Sequence, residues 1–269
     1  MSDSRDVAFT QVDWAGRNDR IEYQWLAPDR TTAPLMVFLH EGLGSLAMWK
    51  DFPQRLCDAV GMRGLVFSRS GYGKSTPREA GELWPIDFMR GQAEDFMPAF
   101  FAAIGLPPTE RPWLFGHSDG GSIALIYAAL FPERTAGLIA VAPHLFVEDV
   151  AIASIRETRE QYIATPELHD GLAKYHDDPE SAFWGWNDVW LDPNFRSGDI
   201  AALLPQIRCP VLAVQGIDDR YGTMAQIESI ALGAPHAELL KLPDCGHSPQ
   251  RDQPQTLLEQ VSAFVNRHR

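Results

Sequence analysis

The most informative segment of this sequence reads Leu114-Phe115-Gly116-His117-Ser118-Asp119-Gly120-Gly121. The apolar residues at its start suit a buried strand, and the small and apolar residues that follow it suit a buried helix. Between them lies the pattern Gly-x-Ser-x-Gly, in which the serine occupies a sharp turn with a strained backbone and an exposed hydroxyl. Glycines two residues before and after it remove the Cβ atoms that would collide there. The segment therefore predicts a nucleophilic serine, Ser118, just after a strand.

Strands and helices alternate on both sides of this segment. Short apolar runs are typical of strands buried on both faces, and helical periodicity lies between them, including a long helix opened by Pro85. Near the start of the chain, a turn over residues 16–19 between two short strands predicts an antiparallel edge hairpin. The buried strand candidates are residues 34–40, 64–68, 137–142, 209–216 and 237–242. This order predicts the α/β class, with a mostly parallel sheet and helices on both faces.

The alternation stops between residues 147 and 204, where only helical or irregular segments are predicted. We expect residues 1–146 and 205–269 to form the core domain, and residues 147–204 to form a helical cap inserted into it. The helix predicted over residues 179–191 contains three tryptophans, Trp184, Trp186 and Trp190. Because helix positions two apart point in different directions, at least one tryptophan should face a pocket, and Trp186 is our candidate.

Composition excludes several classes of protein. The chain has 269 residues, of which 45% are hydrophobic, enough for a large domain with a substantial core. A formal net charge of −13 disfavours nucleic acids and anionic membranes as partners. Three cysteines without a C-x-x-C pair indicate neither a disulfide framework nor a metal site. No signal peptide or membrane-spanning run is visible, so we expect a cytoplasmic protein acting on a small-molecule substrate, with a homodimer left open.

A nucleophilic serine needs a base and an acid. The best-placed base is His247, in a glycine-containing loop between the last predicted strand and the last predicted helix. Asp218 and Asp219 both follow the strand that ends at Gly216, and we favour Asp219 because a three-residue reach from that glycine is the common arrangement. The predicted catalytic order is then Ser118, Asp219, His247. His40 is the rival histidine, and we expect it to hold a loop instead.

Stabilising a developing oxyanion requires backbone N–H groups. One should come from Asp119, directly after the serine, and the other from Gly42, in the loop after a buried strand. Glu41 in the same loop, His144 after another strand, and Trp186 are candidates for the pocket wall. Residues 42–47 also mimic a dinucleotide-binding pattern, but the next strand ends at a serine instead of the required acidic residue.

These motifs resemble the α/β-hydrolase superfamily over essentially the whole chain, above all its capped serine esterases and meta-cleavage-product C–C hydrolases. The matching pieces are Gly116–Gly121, His40–Gly44, Gly71–Ser75, Gly216–Asp219 and Gly246-His247. The resemblance implies an eight-stranded α/β-hydrolase fold with a helical cap, and hydrolysis without a metal or organic cofactor.

One departure from the family pattern bears on the chemistry. The loop of the family usually begins His-Gly, whereas Glu41 follows His40 here. A carboxylate beside an oxyanion would oppose catalysis unless it pointed away or were paired, and Arg69 is the partner we expect.

The resulting prediction is a serine esterase that cleaves small to medium carboxylic esters. The first alternative is a C–C bond hydrolase, which would need a cation for an acidic dienoate, and Arg156, Arg159 and Arg196 in the cap are candidates. The second alternative is a catalytically silent ligand-binding homologue. Transfer of the acyl group to a nucleophile other than water is a further option.

Overall fold

A twisted eight-stranded sheet forms the centre of the computed structural model, which describes residues 7–197 and 200–269. The strands are β1 (Ala8–Trp14), β2 (Arg17–Leu26), β3 (Leu35–Leu39), β4 (Arg63–Phe67), β5 (Trp113–His117), β6 (Gly137–Val141), β7 (Val211–Gly216) and β8 (Glu238–Leu242). Their spatial order is β1-β2-β4-β3-β5-β6-β7-β8. β2 pairs antiparallel with β1 and with β4, and the other five pairs are parallel, so the predicted mostly parallel sheet is confirmed.

Helices follow the strands and pack on both sides of the sheet. The α-helices are α1 (Phe52–Val60), α2 (Phe88–Gly91), α3 (Met97–Ala103), α4 (Asp119–Leu130), α5 (Asp149–Ala164), α6 (Glu167–Leu172), α7 (Pro179–Leu191), α8 (Ala225–Gly233), α9 (Pro249–Asp252) and α10 (Pro254–Arg267). Short 3₁₀ turns span Leu46–Trp49, Pro132–Arg134, Pro193–Ser197 and Ala201–Gln206, and a π-helical turn spans Gln92–Phe96.

Strand β3 shows how the two faces are filled. Because successive side chains of a strand point to opposite faces, Leu35, Val37 and Leu39 join the apolar core that includes α3 and α4. Met36 and Phe38 join the other core, which includes α1 and α10. All five side chains are fully buried, as a parallel strand covered on both faces requires.

Two predicted elements differ in detail from the structure. The hairpin turn is not residues 16–19 but the two residues Ala15 and Gly16, with φ of 44° and 80°, which match the tight turns that suit twisted strands. The long helix after Pro85 is interrupted by the π-helical turn. Pro98 lacks an N–H group and its ring would collide with the preceding turn, which the wider turn accommodates.

The segment between β6 and β7 contains α5, α6 and α7, together with packed aromatic rings. The rings of Tyr162 and Phe183 stack with centroids 3.6 Å apart. His176 links this segment to the core, because it accepts a hydrogen bond from the Gly73 N–H at 2.9 Å and donates to the Leu43 carbonyl at 3.1 Å. Residues 1–6 of the predicted core domain and residues 198–199 of the predicted cap lie outside the described residues.

None of the described helices combines the length and the apolar character needed to cross a bilayer.

Candidate active site

Ser118 stands at the junction of β5 and α4 with φ of 52° and ψ of −120°, a strained conformation for a residue with a side chain. The glycines around it are required by close backbone contacts. A Cβ atom on Gly116 would lie 2.2 Å from the Gly120 carbonyl oxygen, and one on Gly120 would lie 2.1 Å from the Leu39 carbonyl oxygen. The turn is therefore locked between neighbouring strands, with the serine at the carboxyl edge of the sheet.

Loops after three strands bring the predicted serine, histidine and aspartate together. The Ser118 hydroxyl donates to His247 Nε2 at 2.9 Å, and His247 Nδ1 donates to Asp219 Oδ2 at 2.8 Å. The neighbouring Asp218 is exposed, and its backbone N–H donates to the Cys245 carbonyl. The three side chains thus form one continuous hydrogen-bonded chain.

The side chain of Asp219 is fully buried and receives two further hydrogen bonds. Gln215 Nε2 donates to Oδ2 at 2.7 Å, and the Tyr221 N–H donates to Oδ1 at 2.8 Å. Burial alone would raise the pKa of Asp219, but the hydrogen bond from His247 and its charge outweigh burial and lower that pKa. Asp219 is therefore ionised at neutral pH and fixes the orientation of the imidazole.

The backbone N–H groups of Gly42 and Asp119 have no hydrogen-bond partner among the described residues. Gly42 lies against Trp186, since a Cβ atom at Gly42 would lie 2.2 Å from Cδ1 of that indole. His40 holds the loop as expected: its Nδ1 donates to the Glu41 carbonyl at 2.7 Å, and its Nε2 accepts from the Arg69 N–H at 3.0 Å. Burial lowers the pKa of His40 well below its usual range, so the ring is neutral.

Glu41 is paired, but not with the partner that the sequence suggested. Its Oε2 lies 2.7 Å from His117 Nδ1, whereas the guanidinium of Arg69 donates to the backbone carbonyl of Glu41, at 2.9 Å. The other ring nitrogen of His117, Nε2, lies 2.7 Å from the His247 carbonyl oxygen. Burial would raise the pKa of Glu41, but the charge and hydrogen bond of His117 outweigh it and lower that pKa to about 2.

A cavity of about 240 Å³ opens beside Ser118 and His247. Glu41, His144 and Trp186, the three pocket candidates, all line it. Burial lowers the pKa of His144 to about 3, with a further contribution from the charge of His247, so His144 is a neutral wall residue. Nothing in the local sequence pattern marked two further lining residues, Tyr221 and Arg251.

A second cavity, of about 310 Å³, lies next to the first and is mainly apolar. His144 and Trp190 line both cavities and therefore lie between them. Trp190 is fixed in place because its indole N–H donates to Asp119 Oδ1 at 3.1 Å. Burial raises the pKa of Asp119, while the nearby Arg69 opposes that rise.

Arg156 and Arg159, two of the three arginines that the sequence suggested for an acidic substrate, do not line the described cavity next to Ser118. Arg156 is exposed, and Arg159 lies 3.7 Å from Asp188 and over the Trp184 ring. The side chain of Arg196 lies outside the described part of the chain. Arg251 is the arginine that lines this cavity.

Over residues 7–197 and 200–269, no three His, Cys, Asp or Glu side chains are grouped so that they could hold a metal ion.

Comparison with known proteins adds the family and the fold. A model of the "Alpha/beta hydrolase family" matches residues 36–260. Epoxide hydrolase B of Mycobacterium tuberculosis is 26% identical over 126 residues, covering 47% of this chain and 33% of that protein. Human serine hydrolase BPHL is 28% identical over 158 residues, covering 55% of this chain and 50% of that protein. The chain thus spans half or less of the length of these two relatives.

Among solved structures, a thermophilic esterase from Thermogutta terrifontis superposes with a TM-score of 0.74. It is 20% identical, and the match covers 98% of this chain and all of the esterase. At this level of identity the likeness shows a shared fold.

Proposed function

This chain belongs to the alpha/beta hydrolase family, and from that premise we propose that it is a serine hydrolase that cleaves small to medium carboxylic esters. The observation that supports this most directly is the hydrogen-bonded chain from Ser118 through His247 to the buried Asp219. A serine hydroxyl is a weak nucleophile until a positioned base takes its proton, and this geometry supplies that base.

In the proposed mechanism, His247 Nε2 takes the hydroxyl proton as Ser118 Oγ attacks the ester carbonyl carbon. The carbonyl oxygen becomes an oxyanion that the N–H groups of Gly42 and Asp119 stabilise. His247 then gives its proton to the leaving alcohol, which leaves an acyl-enzyme on Ser118. Water, deprotonated by His247, attacks the acyl group and releases the acid and the free serine.

Asp219→Asn should lower kcat by roughly 10⁴-fold with little change in stability, because the asparagine amide would face His247 Nδ1 and force the proton onto Nε2. A histidine in that tautomer cannot accept the serine proton. Steady-state kinetics on a p-nitrophenyl ester would measure the effect. Asp218→Asn is the matched control, since this neighbouring aspartate is exposed and should retain wild-type turnover.

We expect the two cavities to limit the length of the acyl chain that the protein accepts. The cavity beside Ser118 has room for a short chain, and His144 with Trp190 separates it from the larger apolar cavity. We propose that the helical segment between β6 and β7 is a cap that sets this limit, since Trp186 and Trp190 both belong to α7. The preferred acyl group should therefore be short in the wild-type protein.

His144→Ala should join the two cavities and move the preferred acyl chain to a longer length. Each additional buried methylene contributes about 0.8 kcal/mol, so kcat/KM on longer esters should rise about fourfold per methylene relative to wild type. The measurement is a chain-length profile of both proteins. Val147→Ala is the control, because Val147 lines only the apolar cavity and its loss leaves the partition intact.

The test of the proposed function is hydrolysis of p-nitrophenyl esters from acetate to decanoate, combined with labelling by a fluorophosphonate and mass spectrometry of the labelled peptide. We expect turnover that is strongest on short esters and a single label on Ser118. Turnover without a label on Ser118 would contradict the serine mechanism, and a folded protein that neither turns over nor reacts would favour the silent binding homologue.

The C–C hydrolase remains the second candidate, and Arg251 is the observation that favours it. This residue lines the cavity next to Ser118, where a guanidinium could hold the carboxylate of an acidic dienoate. Labelling of Ser118 together with turnover of a dienoate, and of no simple ester, would select this alternative.

A further inference from the structure

The buried histidine His117, which the proposed mechanism does not use, contacts two loops of the site. His117 is 1% exposed and lies one residue before the nucleophile. Its Nδ1 lies 2.7 Å from the Glu41 carboxylate, and its Nε2 lies 2.7 Å from the carbonyl oxygen of His247. It therefore touches the loop of Gly42 on one side and the loop of the catalytic base on the other.

The acceptors around His117 determine its protonation. A carbonyl oxygen can only accept a hydrogen bond, so Nε2 carries a proton. A carboxylate oxygen 2.7 Å from Nδ1 requires another proton between those two atoms. The pair therefore has no net charge, and the low pKa of Glu41 puts that second proton on His117. The Gln250 amide also lies 3.0 Å from Nδ1, and its oxygen has no partner among the described residues. With a protonated Nδ1 the amide must present that oxygen, which accepts from the same N–H as Glu41 does.

Glu41 would be harmful to the chemistry without this partner. Its side chain is 22% exposed and lines the same cavity as Ser118, where a negative oxyanion must form. An unpaired carboxylate at that wall would repel the oxyanion and counteract its N–H donors. The paired His117 removes this repulsion and at the same time holds the backbone of His247.

We propose that Glu41 and His117 are positioning residues: their ion pair neutralises the wall of the oxyanion site and fixes the loop that presents His247. This inference rests on the proposed serine mechanism and adds to it a function for two residues outside the triad.

The variant that isolates the charge is His117→Gln. The terminal amide nitrogen of glutamine can take the place of Nε2 and keep the bond to the His247 carbonyl, but it cannot neutralise Glu41. Kinetics on a p-nitrophenyl ester should show kcat lower by roughly 10- to 100-fold with KM nearly unchanged, as expected for loss of transition-state stabilisation.

The double variant Glu41→Gln/His117→Gln distinguishes the proposed electrostatic role from a merely structural one, by the direction in which kcat changes. Removing the carboxylate as well should raise kcat above that of His117→Gln, to within about fivefold of wild type, because no unpaired charge remains. Glu41→Gln alone should lower kcat less than His117→Gln does, since a neutral His117 still donates to the His247 carbonyl and no unpaired charge remains. A double variant as slow as His117→Gln, or slower, would overturn the proposal.

A surface pair provides the matched control. His268 Nε2 lies 3.0 Å from Glu238 Oε1, at the start of β8 and thus at the end of the sheet opposite to the site. His268→Gln changes the same atoms and should leave kcat and KM unchanged. Thermal unfolding of every variant separates loss of activity from loss of folding.

A second measurement does not depend on turnover. NMR of isotopically labelled histidine should show both ring nitrogens of His117 protonated at neutral pH in the wild type, and only one in Glu41→Gln. A neutral His117 in the wild type would overturn the ion pair even if Ser118-dependent hydrolysis were found. Conversely, a protonated His117 in a protein without ester turnover would place the failure in the proposed function.

Discussion

Ser118→Ala should lower kcat by roughly 10⁵- to 10⁶-fold on any ester that the wild type hydrolyses, because the alanine offers no oxygen to attack the carbonyl carbon. The small residual rate would come from the N–H donors of Gly42 and Asp119 and from substrate binding. The change removes one buried hydroxyl and keeps the Cβ atom, so the fold should persist. The measurement is steady-state kinetics with thermal unfolding of the same preparation.

Two further variants make this result specific. Ser262→Ala removes the same hydroxyl from α10, at a residue that does not line the described cavity beside Ser118, and should retain wild-type turnover. Ser118→Gly should be as inactive as Ser118→Ala but at least as stable as wild type, because glycine relieves the positive φ of 52°. Wild-type activity in either Ser118 variant would refute the serine mechanism.

His247→Ala should cause a loss of similar size, again roughly 10⁵- to 10⁶-fold in kcat, since Ser118 would have no base and the leaving alcohol no acid. The imidazole side chain is 15% exposed and lies at the cavity, so its removal leaves a space that opens to the substrate. Added imidazole should therefore restore part of the turnover. The measurement is kcat as a function of imidazole concentration.

The strongest check on this prediction is whether the losses of kcat in the two single variants combine in the double variant. Because Ser118 and His247 act as one unit, Ser118→Ala/His247→Ala should be no slower than either single variant. His236→Ala is the control: this exposed histidine donates to the Cys209 carbonyl at 3.0 Å, does not line the described cavity beside Ser118, and should show neither loss nor rescue. Losses that multiply in the double variant would mean that the two residues do not share one step.

Much of the fold was predictable because its signals are local. A strand covered on both faces must lack polar side chains throughout, and residues 35–39 and 137–141 have this pattern. The predicted α7 bounds, Pro179–Leu191, match the structure because a proline opens the helix and an aspartate before it caps the helix. The long helix after Pro85 was wrong in detail, since the effect of Pro98 depends on how neighbouring turns can rearrange.

The site was predictable only in part. The positions of Ser118, Asp219 and His247 follow from loops at the carboxyl ends of three parallel strands, β5, β7 and β8, an arrangement that chain order alone indicates. Tyr221 and Arg251 were missed as cavity residues because each lies in a loop whose path is set by packing. The catalytic roles of all these residues stay predictions until the variants are measured.

The sequence by itself determined the strand–turn–helix around Ser118, the parallel sheet and the family, because glycine spacing and apolar runs act over a few residues. Only the tertiary structure decided that Glu41 pairs with His117 instead of Arg69 and that His144 with Trp190 divides two cavities. These contacts join residues far apart in the chain. They depend on side-chain positions set to within a few tenths of an ångström and on which side chain carries each shared proton. No local pattern encodes either quantity, so folding itself assembles this part of the site.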